Sequence, residues 1–315
     1  MKINELMKKA WRLGLVLGIK KLAGYEAVFA WGVRSRIKGQ ELYQEKSSAA
    51  PFRIYPHSEN YWYADPILCE YDNRQVVFME CMDRKTEIGS IGYVDLKDYH
   101  TDNPQVKIVI KENFHMSFPM TFPWGTELYL LPETEMNEGL VLYRCTSFPE
   151  KWERAAELLQ GRKIVDSVLI KTEDNKASFL ASEYDPEDPK LTRFCRFDLV
   201  KETTGISAVW HGTEQKDYTY DSRTAGGVIE NRIIPLQRST PGIYGYSLKF
   251  HTFKDSEIQE LRREIRPSDL HITSRYKKLI GTHTYSQSSE YEVVDVEYLV
   301  FDRKKWVNRI KGRKK

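Results

Sequence analysis

The sequence has little of what many catalytic and ligand-binding classes require. Its four cysteines, Cys69, Cys81, Cys145 and Cys195, stand far apart. No Cys-x-x-Cys pair offers a zinc or redox site, so reduced thiols in a cytosolic chain are the simpler expectation. No two of the seven histidines have metal-binding spacing, and neither an Asp-x-Asp pair nor a Gly-Lys-Ser/Thr phosphate loop occurs. The apolar run from Leu13 to Ile19 is closed off by Arg12 and Lys20. That is too short to span a bilayer, and no small-residue cleavage site follows it. Neither a metal, a cofactor, a membrane span nor a secretory signal is therefore expected.

Net charge is only +3, but it is unevenly spread. Residues 303–315 carry eight basic residues and no acid, and residues 1–21 carry six bases against one acid, which leaves the body between them near −10. Basic residues confined to the ends argue against a nucleic-acid surface. Within the first segment, Lys8, Lys9, Arg12 and Lys20 gather on one side of a helical wheel and Met7, Trp11, Leu15 and Leu22 on the other. That pattern suits either an interfacial helix at an anionic membrane or a helix packed on the body with a solvated basic face. The reading favoured here is a cytoplasmic protein able to sit on the inner face of the plasma membrane through residues 1–24 and 303–315.

What the chain does have is a repeat. Five openings, Ala64-Asp65-Pro66, Phe118-Pro119, Val165-Asp166-Ser167, Ala225-Gly226-Gly227 and Thr282-His283-Thr284, recur about 47 to 59 residues apart, the length of one four-stranded blade. Each is followed by a β-rich run ending in a carboxylate or amide: Glu80, Glu133, Glu183, Gln237 and Asp295. Aromatic residues sit in short alternating runs such as Tyr61-Trp62-Tyr63, as strands require. The expectation is an all-β, five-bladed β-propeller over residues 46–302, with an N-terminal amphipathic, helical extension over 1–45 and a basic tail over 303–315. Each blade would aim one polar side chain at a shared axis, and closure of the ring would bring the two ends of the chain together.

The strings Tyr63-Ala64-Asp65-Pro66, Val77-Phe78-Met79-Glu80, Phe114-His115-Met116-Ser117-Phe118-Pro119 and Tyr129-Leu130-Leu131-Pro132-Glu133 resemble one particular domain, as do Leu142-Tyr143-Arg144, Asp221-Ser222-Arg223-Thr224-Ala225-Gly226-Gly227 and Gly281-Thr282-His283-Thr284-Tyr285. It is the N-terminal domain of plant glucosamine inositolphosphorylceramide transferases, which also occurs in bacterial proteins of surface-polysaccharide loci. The resemblance implies a propeller related to arabinanases and levansucrases, and work on glycans. Two departures stand out. Ile234-Pro235-Leu236-Gln237 replaces the family's Arg-Pro-Ala-Gln, so that Arg232 or Arg238 would have to compensate, and Phe118 stands where relatives often have Tyr. Plant members also carry a separate C-terminal glycosyltransferase domain with no counterpart in this sequence, which implies a domain that acts alone or assists a partner.

Glycosyl transfer or hydrolysis needs one carboxylate as base or nucleophile and a second group near the leaving oxygen. Asp65, stiffened by Pro66, is the first candidate, against the plainer role of capping a turn. Glu133, Asp166 and His115 complete the candidate catalytic set, although a strand-end Glu is usually solvated and a single His is usually structural. Glu80, Asp221, Arg223, Gln237, Tyr244 and His283 are the candidate substrate contacts. Arg223 has the planar fork that grips phosphate or a sugar carboxylate, its plainer alternative being an ion pair with Asp221. His211 is a weaker candidate.

Three functions fit these residues. The first is a glycosyltransferase of surface-polysaccharide assembly, moving a sugar from a nucleotide-activated donor to a lipid-linked or growing glycan. The others are an arabinanase-like glycoside hydrolase and a noncatalytic glycan-binding module.

Overall fold

Short β runs bounded by turn residues cannot bury both faces alone, and here they solve the problem by stacking sheet on sheet around an axis. The computed structural model describes residues 19–20, 24–44, 50–99, 104–185, 192–214, 223–240, 243–254, 257–273 and 279–302. It is a five-bladed propeller. From the axis outwards, blade I comprises Tyr61–Tyr71, Arg74–Asp83, Gly89–Asp95 and Lys107–Ile110. Blade II comprises Ser117–Trp124, Glu127–Glu133, Leu140–Ser147 and Lys151–Leu158. Blade III comprises Ile164–Thr172, Lys176–Tyr184, Thr192–Glu202 and Gly205–Thr213. Blade IV comprises Arg223–Thr224, Ile233–Thr240, Ile243–Lys254 and Glu257–Ile265.

Blade V closes the ring with strands from both ends of the chain. Tyr285–Gln287 pairs with Tyr291–Phe301, which pairs with Tyr25–Ser35, which pairs with Phe52–Tyr55. Residues 25–35, within the stretch read as an extension, thus form a strand of the ring. Their run Ala27-Val28-Phe29-Ala30-Trp31-Gly32-Val33 is apolar throughout, as a strand covered on both faces must be. Tyr25 lies opposite Phe301, and the Asp302 amide donates to the Gly24 carbonyl at 2.9 Å. The two ends of the described chain are therefore side by side. The helix expected over residues 8–21 lies almost wholly, and the tail 303–315 wholly, outside the described residues. Among those that are described, no helix is long and apolar enough to cross a membrane.

Second strands are buried on both faces, as at Val76, Val77, Phe78 and Met79, all fully buried. Outermost strands such as Glu257–Ile265 are mostly exposed and charged. Each fully buried Phe or Leu contributes about 1.5–3 kcal/mol. The turn Asp72-Asn73 has φ of 50° and 55° at its two central residues, the pairing that matches the twist of a two-residue hairpin. A buried ion pair latches blade V. Arg34 Nε donates to Glu292 Oε2 at 2.8 Å, and Glu292 Oε1 accepts from the Leu42 amide at 2.8 Å and the Tyr285 hydroxyl at 2.6 Å. One end of the axis is filled by an apolar plug that includes Ile67, Phe118, Met120, Val168 and Ile234. The polar side chains collect at the other end.

Candidate functional site

Three blade openings share one backbone device. In blade I the pairing runs from Ala64 opposite Glu80 to Ile67 opposite Phe78, in blade II from Ser117 opposite Glu133 to Met120 opposite Leu131, and in blade III from Val165 opposite Ser182 to Val168 opposite Leu180. Two residues face one in each case, which is a β-bulge. Its first residue is left-handed: Asp65 at φ 50°, Phe118 at 44° and Asp166 at 49°. Asp tolerates that conformation and Phe does so rarely. Pro66 and Pro119 fit the second position because the innermost strand is an edge, where a missing N–H forfeits no ladder bond. Blade IV uses Gly226 at φ 140°, where a Cβ would collide with the Tyr285 carbonyl.

The bulges turn Asp65 and Asp166 across the axis to other blades. Asp65 Oδ2 accepts from the Phe118 amide of blade II at 3.2 Å, and Oδ1 accepts from the Thr284 hydroxyl of blade V at 2.7 Å. His283 Nε2 stands 3.7 Å from Asp65 Oδ1, and its Nδ1 lies 2.5 Å from Asp295 Oδ2 in an ionic contact that is not an aligned hydrogen bond. Asp295 Oδ1 also accepts from the amides of His283 at 2.8 Å and Thr284 at 3.0 Å. Burial by itself would push His283 down, but the Asp295 charge beside it, with Asp65 behind, lifts the imidazole to about 9. It is an imidazolium at neutral pH. Asp65 moves up from the usual carboxylate range, because burial and the charges of Asp295 and Asp166 outweigh His283 and Thr284.

Opposite these lies a second charged group. Arg223 forks onto Asp166, with Nε against Oδ2 and Nη2 donating to Oδ1 at 3.0 Å; Nη2 also donates to Glu133 Oε2 at 3.0 Å, and Nη1 reaches the Tyr184 hydroxyl at 3.4 Å. Burial, helped by the Asp166 and Asp65 charges, holds the Glu133 carboxyl well above its ordinary range despite Arg223. Tyr244 stands between the two groups. Its ring meets His283 edge-on at 5.5 Å and has the Arg223 guanidinium 5.4 Å from its centroid, while half of the side chain is exposed. Gly245 at φ 59° lets that segment lie on His283, since a Cβ there would be 2.7 Å from the histidine's own.

Glu80 and His115 form a third part. Burial first, then Asp65 and Glu133, push Glu80 well above the ordinary range, and among the described residues its Oε1 has no hydrogen-bond partner. His115 Nε2 is 3.6 Å from that oxygen. Its Nδ1 accepts from the Gly89 amide at 3.0 Å, which leaves the proton of a neutral imidazole on Nε2. Burial keeps His115 below its ordinary value, so the two histidines carry opposite protonation states.

The structure thus brings together Asp65, Glu80, His115, Glu133, Asp166, Arg223, Tyr244 and His283. Gln237 lies opposite Arg223 in register, buried, with its Nε2 unpartnered among the described residues. Asp221 lies outside the described residues. His211 is half-exposed on the outermost strand of blade III and pairs with Asp198 at 2.8 Å. Arg232 and Arg238 pair with Glu230 and Glu264, at 2.8 and 3.0 Å. In the repeat itself one residue is displaced: the register places Ser182, not Glu183, in the position of Glu80 and Glu133. Glu183 turns to the opposite face, where it pairs with Arg162 at 2.9 Å.

Sequence reasoning named Asp295 as a strand end but not as a site residue, and it missed Thr284 and Tyr184. Their signals were the Thr-His-Thr opening and the residue after Glu183. Among the described residues, Asp65, His283 and Asp295 have potential ligand atoms within 4.8 Å of one another. The imidazolium already supplies the positive charge between those two carboxylates.

The model of the N-terminal domain of glucosamine inositolphosphorylceramide transferase 1 matches residues 53–220. Over 107 residues the chain is 31% identical to glucosamine inositolphosphorylceramide transferase 1 of Oryza sativa subsp. indica and to that of Arabidopsis thaliana, covering 34% of this chain and 14% of each plant protein. Two α-L-arabinofuranosidases share the fold. One is from Podospora anserina, solved with cellotriose, with TM-score 0.50, 10% identity and coverage of 75% of this chain and 90% of that one. The catalytic domain from Coprinopsis cinerea gives 0.50, 11%, 76% and 92%. The family model takes in more than half of this sequence, and the chain belongs to the family of that N-terminal domain.

Proposed function

We propose that the domain transfers a sugar from an activated donor to a hydroxyl of a glycan acceptor, lipid-linked or growing, in surface-polysaccharide assembly. The observation that carries this is the pair of carboxyls with different surroundings: Asp65 between a cation and two donors, and Glu133 buried against Arg223 and Asp166. Environments that separate two carboxyls in this way separate base from acid. Asp65 takes the proton of the acceptor hydroxyl as its oxygen bonds to the anomeric carbon. The bond from that carbon to the leaving group breaks, its electron pair goes to the leaving oxygen, and Glu133 protonates or hydrogen-bonds that oxygen. Asp166 holds Arg223, whose remaining positive edge and the His283 imidazolium offset the charge that develops. Tyr244, Glu80 and Gln237 surround the sugar, and His115 orients Glu80.

The same pair would serve hydrolysis with water in place of the acceptor, and the neutral acid beside a carboxylate favours this as the second reading. The experiment supplies purified protein with a panel of sugar nucleotides and lipid-linked acceptors, with product analysis by mass spectrometry. Transfer should appear and fall about 10²- to 10⁴-fold in Asp65→Asn. Free sugar released from polymers without a nucleotide would replace this reading with hydrolysis. Turnover that survives in both Asp65→Asn and Glu133→Gln would refute the assignment.

The proposal extends to the inner face of the plasma membrane. Residues 24 and 302 lie side by side, so the basic stretches preceding and following them in sequence leave the ring at one place and act together on anionic lipid.

A further inference from the structure

At the end of blade III beside the axial cluster, the chain leaves a cavity of about 820 Å³, within the range of sites that bind small ligands. It is bounded by the end of the second strand of blade III, by the loop entering its first strand, and by Thr213 at the end of its outermost strand. Tyr184 belongs to both places: it lines the cavity and its hydroxyl lies 3.4 Å from Arg223 Nη1. A ligand lying in the cavity would therefore reach the axial cluster at Tyr184.

The lining fixes the kind of ligand. Among the described residues it holds three cations and three carboxylates, each paired: Arg162 with Glu183 at 2.9 Å, Lys163 with Glu135 at 3.4 Å and Arg193 with Asp185 at 2.6 Å. Arg162 is fixed further by the face of Trp210, 3.9 Å from the ring centroid. A phosphate or uronate entering here would meet a carboxylate beside every cation, and to gain a cation it would have to break a pair. A neutral sugar does not face that cost. Each of its hydroxyls both donates and accepts, and adjacent hydroxyls can bond a guanidinium N–H and a carboxylate oxygen side by side without separating the pair. We infer that this groove binds neutral sugar units of the acceptor glycan and leads its terminal hydroxyl past Tyr184 to Asp65. The inference rests on the proposed transfer reaction for the word acceptor, but not for the binding itself.

The test uses the full chain and an array of neutral gluco-, galacto-, manno-, xylo- and arabino-oligosaccharides of one to five units, with uronate oligosaccharides and nucleoside diphosphates as counter-probes. Positive spots are followed by titration calorimetry. At least one neutral series should bind, more tightly as its length grows to about three units. Thr213→Trp, which fills the groove, and Arg193→Gln, which unbalances a pair at its partly exposed rim, should each weaken binding about tenfold or more. Thermal unfolding checks that Thr213→Trp folds, and Arg193→Gln gives the answer independently if it does not.

Failure of every neutral series to bind, or wild-type binding in Arg193→Gln, overturns the inference. So does a preference of the groove for uronate or diphosphate that Arg193→Gln abolishes. The two readings fail separately. Length-dependent binding without any transfer would leave the groove and remove the reaction. Transfer that Asp65→Asn abolishes but whose acceptor KM Arg193→Gln leaves unchanged would do the reverse.

Discussion

The axial cluster depends on His283 being a cation, and the consequence for stability can be worked through. The imidazole rises from 6.5 to about 9 on folding, because Asp295 and Asp65 outweigh the cost of burial. That rise corresponds to about 3 kcal/mol of folding free energy. A pKa raised in the folded state gives stability that is fully present below pH 6.5 and lost as pH rises through 9; near pH 7.5 about 2 kcal/mol remains. Asp65, Glu80 and Glu133, acids raised by burial, also lose stability as pH rises, so the wild-type curve alone mixes all four. The informative quantity is the difference between wild type and His283→Gln, taken from urea unfolding midpoints at pH 6, 7.5 and 9.5. The gap should narrow by about 3 kcal/mol across that range. Imidazole resonances of the wild type should titrate near 9 for one histidine. A gap that stays constant with pH, or a His283 that titrates below 7, would refute the charge assignment and with it the argument that the imidazolium supplies the cation between Asp65 and Asp295.

Three further outcomes follow from other parts of the ring. Glu292→Ala strands the Arg34 guanidinium in blade V and should cost about 3–5 kcal/mol in chemical denaturation, whereas the double change Arg34→Met with Glu292→Leu should recover most of it; a loss below about 1 kcal/mol would show that the latch does not hold the ring closed. Gly226→Ala places a methyl group on the Tyr285 carbonyl at a φ that only glycine adopts easily, so unfolding free energy should fall by more than 2 kcal/mol, on the order of a severe core defect, and a near-neutral effect would mean that blades IV and V are free to separate there. Sedimentation with phosphatidylserine vesicles should carry down the full chain, less of it after deletion of residues 303–315 and less at high salt; equal sedimentation on neutral vesicles would remove the electrostatic account.

The blade count, the blade openings and most of the axial residues were legible in the sequence, because a propeller repeats one solution to one packing problem. Each blade needs an edge strand at the axis, a strand covered on both faces beside it, and a polar residue where the axis meets solvent. Ala64-Asp65-Pro66 and Val165-Asp166-Ser167 carry that pattern in their residue types. Partnership was not legible. Arg223 pairs with Asp166 and Glu133, 57 and 90 residues away in sequence, and nothing local marks that choice. The strand Tyr25–Ser35 was hidden for a related reason: its blade is assembled from both ends of the chain, so no 50-residue period reaches it.

Ser182 and Glu183 show where pattern reading stops. A carboxylate at matching distance from each opening looked like one repeated position, but side chains alternate across a strand and a count wrong by one residue selects the other face. The register of blade III puts Ser182 opposite Val165 as Glu80 is opposite Ala64, so Glu183 belongs to the face of Arg162. The exchange removes a carboxylate from the axis precisely where Asp166 enters it. With Glu183 there as well, Arg223 would face three acids from blades II and III; with Ser182 it faces two, of which Glu133 is held above its ordinary range by burial. The displaced Glu183 instead joins the paired charges of the groove beside Tyr184. One residue of register thus separates an axis suited to proton transfer from a neighbouring surface suited to uncharged sugar.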